Sequence, residues 1–181
     1  MGISPISSVP FTLQRLLPLS FGTLTMLFHL CNILTQYVLE RRAWNPRVLL
    51  QIPVAVILGW LINLFQGLLA LAPEMLAVKL LYLLVSVFLT SLGMVLMLRM
   101  DLIQNPPDGT VRQISCMTGK ELGFVKRCYD VVMVLLTLLL DMIFFQDIYG
   151  LGLATLVSAF GVGKMVTILQ KAVGKKLPNY A

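Results

Sequence analysis

A stripe of polar side chains lies along one apolar segment near the start of the chain. Thr25, His29, Asn32 and Gln36 are spaced by four, three and four residues, so a helix places them on one face. Inside a membrane such groups are costly unless they are paired or face water, which puts them in the interior of a helix bundle. The stripe predicts either a solute site or proton-relay face, or inter-helix hydrogen bonds worth under about 1–2 kcal/mol each.

Two proline-led segments, residues 2–8 and 105–110, offer a second kind of site. In the later segment proline stops the preceding helix and an Asp-Gly pair forms a tight turn, so Asp108 or Thr110 is expected to cap a short helix that runs to about Met117. The earlier segment offers a helix stop followed by hydroxyl caps. Each short helix either lies in the membrane–water interface or re-enters the membrane. In the second case its N-terminus would favour an anion or a carbonyl group.

Three other polar residues lie within apolar runs. Asp130 follows Lys126 by four positions, so a local ion pair near the cytoplasmic surface is favoured over a chemical role. Asn63 is expected to line the site from another span, and Asp141 is expected to be wet at the outer surface. The candidate substrate-binding residues are Thr25, His29, Asn32, Asn63, Pro5, Pro106, Pro107, Asp108, Gly109 and Asp130.

The composition indicates which elements hold these residues. Hydrophobic residues make up 58% of the 181 residues, charged residues only 12%, and the mean hydropathy is +0.89. Ordinary globular domains have about 25% charged residues. The apolar residues form runs of roughly 20, the length of a membrane-spanning helix. We predict a single all-α polytopic membrane domain over residues 1–181, with five spans at about 20–39, 48–70, 76–98, 124–145 and 149–170.

The two halves of the chain repeat each other at a shift of 101 positions, which places Gly22 on Gly123 and His29 on Asp130. Each half has a proline segment and then two apolar runs, and the number of spans makes the halves inverted. Because the mate of His29 is also ionisable, a functional role is favoured for His29. Repeat 1 covers about 1–70, repeat 2 about 76–172, and a cytoplasmic tail 173–181.

A leading span precedes the proline segment only in repeat 2. We therefore expect either a six-span protein shortened at its N-terminus, which is the favoured interpretation, or a natural five-span variant. Basic residues in the loops give the orientation. The loop after the first span, the segment 99–127 and the tail are basic, whereas the two intervening loops have no Lys or Arg. This alternation puts residues 1–19 outside and the C-terminus in the cytoplasm.

Several classes of function are not supported. The sequence has a single histidine and neither an HExxH motif nor a nucleophile elbow, so we predict no enzymatic activity, no metal site and no cofactor. The three cysteines lack a CxxC pair and are expected to be reduced thiols. No basic stripe with interleaved aromatic residues indicates nucleic-acid binding.

Four short motifs resemble those of the bacterial YczE/YyaS/YitT-like integral membrane proteins: Gly2-Ile3-Ser4-Pro5, Leu19-Ser20-Phe21-Gly22-Thr23, Pro107-Asp108-Gly109 and Gly150-Leu151-Gly152-Leu153-Ala154-Thr155. The resemblance implies a small multi-pass protein of the bacterial cytoplasmic (inner) membrane, with a further helix before the first proline segment. Most members have no assigned activity. Many relatives have an aromatic-Asp pair where this chain has Ile6-Ser7, so an acidic role is not carried over to that position.

Two functions follow as hypotheses. The favoured one is a small-solute transporter or solute-binding membrane component with its site at the seam of the two repeats. The alternative is a structural or regulatory membrane protein that acts through a protein partner at its cytoplasmic face, using the basic segment 99–127 and the tail. The expected partners are the lipid bilayer and either an unknown small solute or that protein.

Overall fold

The chain is all-helical over the residues that the computed structural model describes, which are 2–39, 46–68, 75–99, 103–148 and 150–173. Seven of the helices have twelve residues or more, and one is a single turn. In chain order they are α1 (Pro5–Leu16), α2 (Phe21–Leu39), α3 (Pro46–Leu49), α4 (Gln51–Leu68), α5 (Leu76–Arg99), α6 (Pro106–Thr118), α7 (Leu122–Phe144) and α8 (Leu153–Val173).

Three of these helices are long and apolar enough to cross a membrane: Gln51–Leu68, Leu76–Arg99 and Leu153–Ala172. They coincide with three of the five predicted spans. The other two predicted spans coincide with α2 and α7, which have spanning length but carry polar and charged residues, so their crossing of the membrane stays a prediction. The basic loop after α2 and the tail beyond residue 173 lie outside the described residues.

The short helices α1 and α6 begin at prolines, at Pro5 and Pro106. The prediction that Asp108 or Thr110 caps α6 is wrong, because Asn105 is the N-cap residue and both candidates lie inside the helix. Hydroxyl capping of α1 is also wrong, since Ser4 at its N-cap makes no side-chain hydrogen bond. Proline has no N–H to satisfy and its φ suits the first helical position, so these helices start without a side-chain cap.

The packing contacts of the first half have counterparts in the second half. Helix α1 packs on α2, and α6 packs on α7. Helix α2 packs on α4, and α7 packs on α8. Two further contacts cross between the halves, because α1 also packs on α7 and α6 also packs on α2. Each short helix therefore lies between α2 and α7.

Pairs of glycines bring the long helices close together. A Cβ on Gly22 would run into the carbonyl oxygen of Gly59, so α2 and α4 approach at backbone distance. A Cβ on Gly123 would run into the carbonyl oxygen of Gly163 in the same way, at the crossing of α7 and α8. Glycine on both partners therefore makes each crossing a close-packing surface.

The short helices lie at opposite ends of the bundle. Along α1, Ser8 hydrogen-bonds Thr137 and Thr12 donates to Asp141, in the last third of α7. Along α6, Asp108 faces Lys126, near the start of α7. The prediction that Asp141 is wet is wrong, since its exposed fraction is 0% because α1 covers it.

The helix bundle has two kinds of interior, one apolar and one polar. Apolar side chains of α5, α6, α7 and α8, among them Val95, Val111 and Val166, form one hydrophobic cluster. Buried polar side chains instead fill the space that α1, α2, α6 and α7 enclose. Large apolar side chains such as Leu34, Trp60 and Leu84 lie on the outer surface, as expected for helices that face lipid.

Candidate functional site

The polar interior is built around Asn32 of α2. Its side-chain oxygen accepts a hydrogen bond from the Tyr129 hydroxyl of α7 at 2.6 Å and one from the Thr110 hydroxyl of α6 at 3.2 Å. Its side-chain nitrogen donates to the Phe28 carbonyl one turn earlier at 2.9 Å. One amide therefore joins three helices, two of which belong to the opposite half of the chain.

Three charged side chains lie beside this contact, and we call Asp108, Lys126 and Asp130 the charge cluster. The Lys126 Nζ donates to Asp130 Oδ1 at 2.9 Å and lies 3.7 Å from Asp108 Oδ1. The predicted Lys126–Asp130 ion pair is confirmed, but it is buried in protein rather than solvated, with both side chains 2% exposed. The pair links α7 electrostatically to α6, through Asp108.

Burial is the main influence on the protonation of Asp108, which lies in the short helix α6. Desolvation raises the pKa of this carboxyl above its ordinary value, and the Lys126 ammonium, by charge and hydrogen bonding, pulls that pKa back down. The side chain keeps a 15% exposed fraction. It is therefore the member of the charge cluster that solvent reaches.

His29 is buried on the same face of α2, one turn before Asn32. Its Nδ1 atom is enclosed and has no hydrogen-bond partner among the described residues. Thr25, one turn further back, is also buried, and its hydroxyl donates to the carbonyl of Phe21 in its own helix. Of the predicted stripe, His29 thus contributes an unused polar atom, and Thr25 does not.

A pair of hydrogen-bonded glutamines lies at the C-terminal end of the polar stripe of α2. Gln36 and Gln51 exchange two side-chain hydrogen bonds at 2.9 and 3.0 Å, and Gln36 also donates to the Pro106 carbonyl at 2.9 Å. Gly109 packs directly against them, because a Cβ there would come within 2.7 Å of Gln36 Oε1 and 2.8 Å of Gln51 Nε2. The first turn of α6 is in this way fixed against α2 and α4.

The segment that leads into α6 holds further unused polar atoms. Gln104 is 4% exposed, yet neither its Oε1 nor its Nε2 has a hydrogen-bond partner. The Oδ1 atom of Asn105 is also enclosed and unpartnered. Buried polar atoms are almost always paired, and each unpaired one costs about 1–3 kcal/mol. These atoms and His29 Nδ1 are the unpaired buried side-chain atoms of the described residues.

The structure brings most, but not all, of the predicted site residues together. Pro106, Pro107, Asp108 and Gly109 form the first turn of α6 beside Asn32 and the charge cluster. Two candidates lie elsewhere. Pro5 is buried at the start of α1, where its carbonyl accepts a hydrogen bond from Ser8. Asn63 has both polar atoms occupied at the start of α2, accepting from the Gly22 amide at 2.8 Å and donating to Ser20 at 3.0 Å.

Sequence reasoning missed four residues of the site. Lys126 was assigned only a local pairing role, and Thr110 only a capping role, whereas Tyr129 and Gln104 were not considered. The spacing held one usable signal for Tyr129, because it follows Lys126 by three positions and so lies on the same helix face. For Gln104 no periodicity was available, since it lies in the short connection before α6.

The N-terminus of α6 is poorly suited to an anion. Prolines occupy its first two positions and supply no N–H donors, and the Gly109 amide already bonds the Asn105 carbonyl at 2.9 Å. Asp108 adds a carboxylate to the same turn. The expectation of an anion there is therefore not favoured, and the unused amide and carbonyl groups instead suit a neutral or cationic polar molecule. Among the described residues no group of His, Cys, Asp and Glu is arranged to hold a metal ion.

Comparison with known proteins gives a family without a function. A protein-family model described as a family of unknown function (DUF6198) matches residues 1–171. No curated protein and no solved structure matches the chain. None of these findings bears on the YczE/YyaS/YitT-like resemblance, which stays a prediction.

Proposed function

The chain belongs to the family of unknown function DUF6198, and from the geometry of its polar interior we propose that it is a small-solute transporter or solute-binding membrane component. The site lies at the seam between the two halves, where α6 and α7 meet α2. Its ligand is a small polar molecule, neutral or cationic, that both donates and accepts hydrogen bonds.

The observation that carries this proposal is the set of unpaired buried atoms beside the seam. Gln104 offers one donor and one acceptor, and Asn105 and His29 each offer a further polar atom. In a bundle whose polar residues have only a structural role, hydrogen bonds between helices pair the buried polar groups with one another. Buried polar atoms that stay unpaired are instead costly, and a polar ligand would offset that cost. Buried ionisable residues in membrane proteins are functional candidates for the same reason.

We further propose that α2, α4, α5, α7 and α8 are five membrane spans and that the two halves form an inverted repeat. The paired contacts α1–α2 with α6–α7, and α2–α4 with α7–α8, support the repeat. The glycine crossings support it independently, because Gly22 and Gly59 occupy the places of Gly123 and Gly163. In inverted-repeat transporters the solute site lies at the repeat interface.

A thermal-stability screen of the purified protein in detergent tests this function. The panel contains amino acids, vitamins, nucleobases, organic acids, amines and small ions. A ligand at 100 times its Kd stabilises by about 2.7 kcal/mol, which is a readily measured shift. We expect one polar class to shift the unfolding temperature, and the shift to disappear in His29→Ala and Gln104→Ala.

The matched control is Gln113→Ala, which removes the same side chain from a half-buried position of α6. It should fold and bind like the wild type. A flat panel on a well-folded sample, or a ligand shift that survives both His29→Ala and Gln104→Ala, would contradict the proposed site.

The alternative function is a partner-binding protein with a basic cytoplasmic face. Fewer basic side chains are exposed for such binding than the sequence suggests. Lys120 is exposed and available to a partner or an anionic lipid, but Lys126 is buried against Asp130. Under this alternative, neutralising Lys120 and Arg127 would remove the cellular phenotype while His29→Ala would not. The reverse result supports the solute site.

A further inference from the structure

We propose that the charge cluster makes this protein proton-coupled, with Asp108 as the carboxylate that takes up and releases the proton. The inference rests on the proposed function, because it assigns the coupling ion of the same site. It is argued from three features of the cluster: its charge balance, the unequal positions of its two carboxylates, and the helices that they connect.

The cluster is not electrically balanced when all its members are ionised. Lys126 contributes one positive charge, and Asp108 and Asp130 contribute two negative charges, within 3.7 Å of the ammonium nitrogen. An uncompensated charge buried in a helix bundle is strongly unfavourable. Two carboxylates that share one site cannot both ionise freely, so one of them is the natural acceptor of an additional proton.

Asp108 is that acceptor rather than Asp130. The Asp130 carboxylate holds the ammonium in a hydrogen bond of 2.9 Å, whereas the Asp108 carboxylate lies further from it, at 3.7 Å. Asp108 is 15% exposed, and Asp130 is 2% exposed, so solvent reaches the former. Burial also raises the pKa of Asp108, which favours its protonated form.

A proton suits this position better than an alkali cation does. A metal ion on Asp108 would have to stand close to the Lys126 ammonium and would be repelled by it. A proton bonds to one Asp108 oxygen, needs no additional space, and leaves the Lys126–Asp130 pair intact. The balanced step is transfer of one proton from hydronium to the Asp108 carboxylate, giving the carboxylic acid and water, and the reverse step returns the proton to water.

Protonation changes the attraction between two helices. Asp108 is on α6, and Lys126 is on α7. Tyr129 and Asp130 on α7 also interact electrostatically with Asp108. The other titratable groups to consider are His29 on α2, the helix that packs on α6 from the other side, and Arg112 on α6 itself. Neutralising Asp108 removes the ionic attraction between α6 and α7 but leaves the Lys126–Asp130 pair within α7. The proton thereby weakens the attachment of α6 to α7, while the hydrogen bonds of α6 to α2 remain. Helix α6 carries the unpaired Asn105 at its N-terminus.

Infrared difference spectroscopy of the purified full-length protein, titrated with acid and base, tests the inference without a substrate. The probe is the C=O stretching band of a protonated buried carboxylic acid. We expect the wild type to show one such band on the acidic side of the titration, and the band to vanish on alkalinisation. The band should be lost in Asp108→Asn and kept in Glu121→Gln, which removes an exposed acid at the start of α7.

Lys126→Gln combined with Asp130→Asn provides a second readout should Asp108→Asn fail to fold, because removing both partners leaves no unpaired buried charge in α7. Removing the ammonium should raise the pH at which the band vanishes by about 1–3 units, because a neighbouring positive charge lowers a carboxyl pKa by that amount. A band that survives Asp108→Asn, is lost instead in Asp130→Asn, or responds to Na⁺ or K⁺ at constant pH overturns the proposal.

The two experiments distinguish failure of the proton coupling from failure of the proposed function. A protein that protonates Asp108 but binds nothing in the ligand screen contradicts the proposed function and not the protonation. A protein that binds a solute while Asp108 stays ionised throughout contradicts the proton coupling and not the solute site.

Discussion

Asn32 shows how much a single side chain contributes to joining the two halves. Its oxygen is the acceptor for Tyr129 of α7 and for Thr110 of α6, so its loss affects contacts on both helices. Thr110 keeps two other acceptors, the carbonyls of Asn32 and Pro106. For the Tyr129 hydroxyl, the Asn32 side chain is the partner that the structure gives.

We therefore expect Asn32→Ala to lower the free energy of unfolding by about 1–2 kcal/mol, because it leaves a buried tyrosine hydroxyl without its acceptor. Tyr129→Phe should cost less, since Asn32 retains Thr110. The double variant should cost clearly less than the sum of the two single variants. Denaturation in detergent measures all three, and strict additivity would contradict a direct Asn32–Tyr129 bond.

A second prediction at the scale of single residues concerns Lys126. Lys126→Met leaves Asp130 as a buried charge without its partner, which should cost about 3–5 kcal/mol. Lys126→Met combined with Asp130→Leu should recover most of that loss. The control Lys120→Met changes an exposed lysine and should be nearly neutral. If Lys126→Met is as mild as the control, the pair is solvated and not buried.

At the scale of helices, the bundle depends on two places where backbones touch. The crossings of α2 with α4 and of α7 with α8 have glycine on both partners, and a methyl group at either crossing meets backbone atoms that cannot rotate away. Asn63 strengthens the first crossing by capping the Gly22 amide. At the second crossing Thr167 occupies the corresponding place near Gly123.

Gly22→Ala and Gly123→Ala should each destabilise the protein by about 1–3 kcal/mol, because the added methyl group forces the helices apart. Gly93 is the matched control. It lies inside α5, and a Cβ there meets nothing within 4 Å. Gly93→Ala should be neutral or stabilising by up to about 1 kcal/mol, since alanine favours the helix. Equal effects of the three variants in thermal unfolding would refute the close crossings.

The helices also show where sequence reasoning works and where it stops. Apolar runs predicted the long helices to within a few residues, as at 20–39 for α2 and 76–98 for α5, because burial in lipid imposes length and hydropathy. The contact of Thr110 with Asn32 could not be predicted, because it joins residues far apart in sequence. Capping by Asp108 was wrong because proline already satisfied the helix start. Asp141 was placed in water since nothing local indicated that α1 covers it.

For the whole molecule, the proposed five spans fix which side of the membrane each end of the bundle faces. Cys116 is exposed on α6, at the end assigned to the cytoplasm, and Asp147 is exposed beyond the end of α7, at the opposite end. Both positions lie outside the long helices. They therefore report on orientation without disturbing the polar interior.

In a variant that carries Cys31→Ser and Cys128→Ser, a membrane-impermeant maleimide should label Cys116 only in inverted membrane vesicles. In a variant that carries Asp147→Cys and has its three native cysteines changed to serine, the same reagent should label intact cells. Gel-shift or mass detection of the adduct gives the result. Labelling of Cys116 from the outside would reverse the proposed topology.

The crossed packing of α1 and α6 has a mechanical consequence. Both short helices occupy the gap between α2 and α7, one at each end, and the Asn32–Tyr129 hydrogen bond joins the two long helices between them. A tilt of α2 against α7 about that bond widens the gap at one end and narrows it at the other. Such a tilt would loosen the packing around one short helix and tighten the packing around the other.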